Sequence, residues 1–220
     1  MPFAVPLTRR EAALRYLRDE IITGQLAAGT ALKDAEIAAQ LSISITPVRE
    51  AIAQLVAEGL VVTKNRTRYV ARLTPKSALD LIDVMSVLAC AGFEWGIPHL
   101  TDADMQQLRL RLEQLIESLR EGNVTAAAGA GTDFSSIIFL ASGNHELQAY
   151  FDVAVARTVR LLALTAVSEP WQAWVAGYTE TLQLLEHGDQ AGAIKRYRRI
   201  YEDFRALVST VSFDEPNSTS

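Results

Sequence analysis

The chain has 220 residues, 49% of them hydrophobic and 21% charged, which is enough apolar surface for a substantial core and excludes wholesale disorder. Its single cysteine, Cys90, excludes an intramolecular disulfide and cysteine-rich zinc sites, and fits a reducing cytoplasm. The net charge of −5 by itself points away from a nucleic-acid partner, but the charge is unevenly spread: ten Lys/Arg face seven Asp/Glu up to Thr74, and eleven face nineteen after it. The opening residues lack the basic-then-apolar pattern of a secretory leader, and no stretch of roughly 18 residues is both apolar and uncharged, so neither export nor a membrane span is expected.

Thr8-Arg9-Arg10-Glu11 is a capping-box pattern and opens a first helix whose Leu14, Leu17 and Ile21 recur at helical spacing until Gly24. A second, short helix spans Asp34 to Leu41. A third starts at the N-cap Ser44, tolerates Pro47 in its first turn, buries Val48, Ile52, Leu55 and Val56, and stops at Gly59. Leu60 to Lys64 and Arg68 to Arg72 then read as a β-hairpin around the polar tip Asn65-Arg66-Thr67. Three helices followed by a hairpin make a winged helix-turn-helix. The exposed face of the third helix fits a major groove ~12 Å wide. Lys33, Ser44, Thr46 and Arg49, with Lys64, Arg66, Thr67 and Arg68 on the wing, are the expected contacts to double-stranded DNA. Ordinary solvated charges on a small helical domain would give the same composition.

The strings Ile22-Thr-Gly-Gln-Leu26, Glu36-Ile-Ala-Ala-Gln-Leu41 and Ser44-Ile-Thr-Pro-Val-Arg-Glu-Ala-Ile52, followed by Glu58-Gly-Leu-Val61, closely resemble the GntR family of bacterial transcription regulators over some 65 consecutive residues. The resemblance implies a DNA-binding head, and two departures from it stand out. Ile45 occupies a position where the family usually carries Arg, which removes an expected DNA contact. Thr67 occupies the usual place of a wing-tip Gly, which makes a left-handed turn there harder.

After Thr74-Pro75, an N-cap and first-turn pair, the apolar spacing is helical almost throughout. Helices are expected from Pro75 to Trp95, buried on most sides; from Thr101 to Gly122; from Phe134 to Ala141, after a small-residue stretch from Thr125 to Gly131; from His145 to Val167; from Trp171 to His187; and from Gln190 to about Val211. Residues 212–220 read as a disordered tail. The fold class is therefore mainly α: a winged helix-turn-helix over residues 1–74, with a small hairpin wing, then an all-α antiparallel bundle over 75–211. Cys90 reads as an inert core residue, since no Lys, Arg or His lies beside it in sequence.

Phe134, Ala141-Ser-Gly-Asn144 and Leu147, with Gly188-Asp189 and Ala193, make the body resemble, more faintly, the FCD ligand-sensing domain of the FadR branch of that family. The resemblance implies a pocket that in many members holds a divalent metal through one Asp and three His. Those positions fall here on Gly131, Ser135, Tyr178 and Ile200, so no metal and no cofactor is expected. The family's effector-binding Arg and the Glu after it fall on Met85 and Ala89. With Phe139, these residues imply a largely apolar pocket of Met85, Ala89, Ser135, Phe139, Tyr178 and Ile200 for a small-molecule effector of little charge. A core that has filled in and only dimerises, or an anion held by Arg157, Arg160 or Arg196, remain open alternatives. The expected protein is a homodimeric, cytoplasmic regulator, most simply a repressor, that reads an inverted repeat. A helical enzyme is a remote alternative, because no nucleophile–base or P-loop pattern occurs.

Overall fold

The computed structural model describes residues 7–165 and 170–210; the expected tail and the end of the helix expected to reach Val167 lie outside them. The chain divides into two compact units, Met1–Arg72 and Leu73–Ser220.

In the first unit α1 (Arg9–Ile22) starts at a complete capping box, with the Thr8 hydroxyl accepting from the Glu11 amide and the Glu11 carboxylate accepting from the Thr8 amide. α2 (Asp34–Gln40) and α3 (Ile45–Ala57) follow. The buried stripe of α3 is Val48, Ala51, Ile52 and Leu55; Val56 is only half-buried, because helical spacing puts it at the margin of that stripe. Gly59, at φ +72°, ends the helix in a conformation that costs a side-chain-bearing residue about 1 kcal/mol or more. A half-buried ion pair braces the unit: Arg18 of α1 donates to both carboxylate oxygens of the buried Glu58, just past α3.

The wing departs from the expected hairpin in two ways. β2 (Val61–Lys64) and β3 (Thr67–Val70) are joined by a third strand, β1 (Ala31–Leu32), in the antiparallel order β1-β3-β2. A two-residue strand is too short to show periodicity in sequence. The tip is also tighter than expected. Lys64 pairs with Thr67, leaving the two-residue turn Asn65-Arg66, and both of these take positive φ, +49° and +64°. The left-handed residues a hairpin turn demands are therefore Asn65 and Arg66, and Thr67 is an ordinary strand residue. Asn tolerates that region; Arg does so at a cost of ~1 kcal/mol. Arg66→Gly is accordingly expected to raise the stability of this unit by about 1 kcal/mol while weakening DNA binding, seen as opposite movements of melting temperature and affinity in one variant.

The second unit is a helical bundle. α4 (Pro75–Gly96) opens on Thr74, which forms a capping box with Ser77, and a 3-10 turn at Ile97–His99 carries the chain to α5 (Asp102–Arg120), capped by Thr101 and Asp104. α6 (Val124–Ala141), α7 (His145–Thr165), α8 (Pro170–Glu186) and α9 (Gln190–Val208) complete it. The small-residue stretch 125–131 is the first half of α6, not a lead-in to it. Alanine is the strongest helix former, and small side chains allow α6 to lie close against α5 and α4. α4 packs on α6, α7 and α9, and α8 on α9.

The α4 segment Pro75–His99 and α6 are each long and apolar enough to cross a membrane by length and composition, a reading that a few charges do not prevent. About half of each window is buried inside the bundle, as in core helices. α4 is not buried on most sides. Val84, Val87 and Trp95 are exposed along one face, Val87 at 70%, and Tyr150 and Val153 are exposed on the neighbouring α7. Apolar composition alone does not distinguish a core face from an exposed one. Cys90 also has a basic neighbour that sequence adjacency could not show: Arg198 of α9 lies against its thiol.

Candidate functional site

Two places carry the candidate residues, one in each unit. In the first, α3 presents Ser44, Ile45, Thr46, Arg49 and Glu50 to solvent. Ser44 is the N-cap of α3, with extended backbone, but its side chain makes no capping hydrogen bond, and the first turn contains no acid. The amides and the positive end of the helix dipole therefore face outward uncompensated, an arrangement that attracts anions. Ile45 is 41% exposed at the head of this face.

Asp34 is the residue that sequence reasoning missed. Its carboxylate accepts from Arg49 Nε at 2.9 Å and from Arg68 Nη1 at 3.2 Å, so one acid at the start of α2 ties α3 to β3. The Asp34 side chain is 22% exposed, against 64% for Arg49 and 30% for Arg68. No local pattern signals this bridge, which spans separations of 15 and 34 residues. Lys33 stands apart, paired with Glu36 at 2.8 Å; that hydrogen bond holds its ammonium above the usual lysine range. Lys64 and Arg66 are exposed at the wing tip with no ion pair among the described residues, and Thr67 is half-buried.

In the second unit all six expected pocket residues are buried: Met85, Ala89, Ser135, Phe139, Tyr178 and Ile200. The structure gathers them around a nearly filled core. Met85, Ser135 and Tyr178 line a small void of about 20 Å³, with Phe151, Trp174 and Tyr201 among its other walls. That is room for about one water molecule. Ala89, Phe139 and Ile200 do not line it. Phe139 instead packs against Phe151 and sits over Gly92 of α4.

Three of the four positions where the family resemblance places metal ligands are joined here by hydrogen bonds. The Gly131 carbonyl accepts from Ser135 Oγ at 3.1 Å and from Tyr178 Oη at 3.2 Å. Ser135 Oγ and Tyr197 Oη lie 2.6 Å apart, and Tyr197 Oη lies 3.3 Å from Tyr201 Oη. With Ser135 donating to the carbonyl, the chain of donors runs from Tyr201 through Tyr197 to Ser135. The Tyr197 ring stacks on Phe93 with centroids 3.4 Å apart. Gly131, Ser135, Tyr178 and Ile200 supply no carboxylate or imidazole, and their hydroxyls are engaged with protein groups, so this donor set does not fit a divalent metal. His99, His145 and His187 are all exposed. Among the described residues no cluster of three or more His, Cys, Asp or Glu forms elsewhere. Of the arginines considered for an anion, Arg196 pairs with Glu180 and Arg160 is buried, which lowers its pKa. Arg157 has a buried Nε without a hydrogen-bond partner.

Burial pushes the Tyr178 phenol from 10.0 up to about 12 and raises Tyr197 and Tyr201 as well. A folded-state pKa raised above the unfolded value gives stability that is complete below pH 10 and is lost as pH climbs through the folded value. The unfolded chain gives up a proton that the folded chain keeps. Between about pH 10 and 12, Tyr178 alone is expected to remove about 2–3 kcal/mol of stability. Loss of helical circular dichroism should coincide with the rise of tyrosinate absorbance from the buried rings.

A head with an outward-facing third helix and an arginine-bearing wing has the architecture of a winged helix-turn-helix DNA-binding domain, and the body is a separate all-α unit. The model for bacterial regulatory proteins of the gntR family matches residues 9–70, and the FCD domain model matches residues 80–203. The chain belongs to the proteins with an FCD domain, which spans more than half of it, and carries a gntR-family helix-turn-helix domain ahead of that. It is 28% identical over 191 residues to a probable D-xylose utilization operon transcriptional repressor of Paenarthrobacter nicotinovorans, covering 83% of this chain and 82% of that one. It is 32% identical over 104 residues to the gluconate operon transcriptional repressor of Bacillus subtilis, but this match spans only 41% of that relative. E. coli McbR/YncC has the same fold, with a TM-score of 0.77 at 21% identity over 92% of this chain and 98% of that one.

Proposed function

We propose that the protein is a cytoplasmic, homodimeric repressor and not an enzyme, that α3 enters the major groove of an operator with inverted half-sites, and that the wing follows the adjacent backbone. The observation that carries this reading is the outward face of α3, with its uncapped first turn and Arg49, beside a wing bearing Lys64, Arg66 and Arg68. Arg49 is placed to read guanine O6 and N7 or a phosphate; Ser44, Thr46 and Thr67 suit phosphate oxygens, and Lys33 the flanking backbone. Ile45 brings an exposed apolar group that suits a thymine methyl better than a phosphate. The exposed apolar face of Val84, Val87 and Trp95 on α4 is the surface we assign to the two-fold interface. The two relatives described as operon repressors support the sign of regulation.

The effector is a small molecule of little charge that binds without a metal among Met85, Ala89, Ser135, Phe139, Tyr178 and Ile200. It must open a core that now leaves about 20 Å³ free. That small void favours a second reading, in which the body serves dimerisation alone. Thermal shift of the chelator-treated protein against a panel of metabolites separates the two. A true effector at 100 times its Kd adds about 2.7 kcal/mol. A flat response across the panel, with the dimer intact, leaves only the second reading.

A further inference from the structure

We propose that Asp34 is the positioning residue for DNA reading: it fixes the plane of the Arg49 guanidinium and the place of Arg68, and so sets sequence discrimination without itself touching a base. The inference rests on the assignment of α3 and the wing as the DNA-reading surface.

Three features of the site carry it. Asp34 is the first residue of α2, and the N-cap before it, Lys33, makes no side-chain capping bond. The Asp34 carboxylate reaches away from its own helix. It is spent on two arginines from two other elements, one on the recognition helix and one on the wing. The bond to Arg49 uses Nε, which leaves both terminal amino groups of the planar fork free to meet a guanine edge or a phosphate. Held at Nε, the fork presents a fixed plane, and the side chain loses less freedom on binding.

The same contact changes the charge of the surface. Arg49, Arg68 and Asp34 together carry a net +1, whereas the two arginines alone would carry +2. Asp34 therefore lowers the attraction to any DNA while sharpening the reading of one sequence. Preorganisation and neutralisation act on different observables, so they are separable.

The test uses the full chain and two probes: a duplex selected by the wild-type protein from random-sequence DNA, and a scrambled duplex of equal length and composition. For Asp34→Asn the expected result is tighter binding to the scrambled duplex, a log–log salt dependence steeper by about 0.9, and a ratio of selected to scrambled affinity about tenfold lower. Asp34→Glu, which keeps the charge, should return the salt dependence to that of the wild type. Arg49→Lys, which lacks the Nε donor, should lose the same discrimination, and the double variant should lose little more than either single one. If Asp34→Asn tightens both probes equally, Asp34 only neutralises charge and the proposal is overturned. Full additivity of the two single losses overturns it equally, and this comparison decides the matter if Asp34→Asn melts early. If the wild-type chain selects no sequence at all, the DNA-reading assignment fails first.

Discussion

Arg49→Ala is expected to weaken binding to a selected operator about a hundredfold, with a melting temperature close to that of the unaltered chain. Arg49 is 64% exposed on α3, so removing it opens no cavity, and its pairing with Asp34 is a surface ion pair of small net stability. The loss in binding has two parts. A bidentate contact to a base edge or phosphate is worth about 1–3 kcal/mol. Removing the guanidinium also leaves the Asp34 carboxylate with one partner fewer beside the polyanion, which adds repulsion. The salt dependence should flatten by about one unit, and affinity for scrambled DNA should fall less than affinity for the selected site. Equal losses on both would mean that Arg49 only meets the backbone. Fluorescence anisotropy across a salt series measures all three quantities.

Gly96→Ala should be the most damaging single methyl in the body. A Cβ at Gly96 would run into the backbone carbonyl of Ile138 on α6, and neither backbone can yield without separating the two helices. Overpacking of this kind costs about 3 kcal/mol and sometimes more. Gly92→Ala, one turn earlier, meets the Phe139 ring at 2.7 Å, where a side chain can move, so a smaller loss is expected. Gly129 provides the control. It lies inside α6, and a methyl added there would meet nothing within 4 Å, so the same change should stabilise by about 0.5–1 kcal/mol. Urea denaturation of the three variants should order them Gly96→Ala, Gly92→Ala, wild type, Gly129→Ala from least to most stable.

The features legible in the sequence were those set by neighbours a few residues apart. The capping box at Thr8 and the N-cap at Thr74 are each decided within four residues, and both form; that Thr74 closes a full box with Ser77, and Thr101 one with Asp104, emerges only in the structure. The α3 face follows from helical spacing around Val48 and Ile52. What escaped depends on groups brought together from afar. Asp34 reads as an ordinary first-turn acid until Arg49 and Arg68 close on it. Cys90 has no basic neighbour in sequence, yet α9 delivers Arg198 to it. Met85, Ser135 and Tyr178 border one small void, but side-chain identity alone did not show that Tyr201 walls it too, or that Tyr197 bonds Ser135 and stacks on Phe93. The wing turn lies between these cases: a hairpin was evident, but its register, and so the burden of positive φ on Asn65 and Arg66, is fixed only by pairing with β3.

Selection from random-sequence DNA by the full chain, followed by sequencing of the enriched pool, tests most directly whether this is a dimeric reader of operator DNA. The expected result is an inverted repeat whose half-sites lie about one or two helical turns apart, protected as a single footprint and lost with Arg49→Ala. A pool that stays random at low salt, with retardation no stronger than on scrambled DNA, would contradict it.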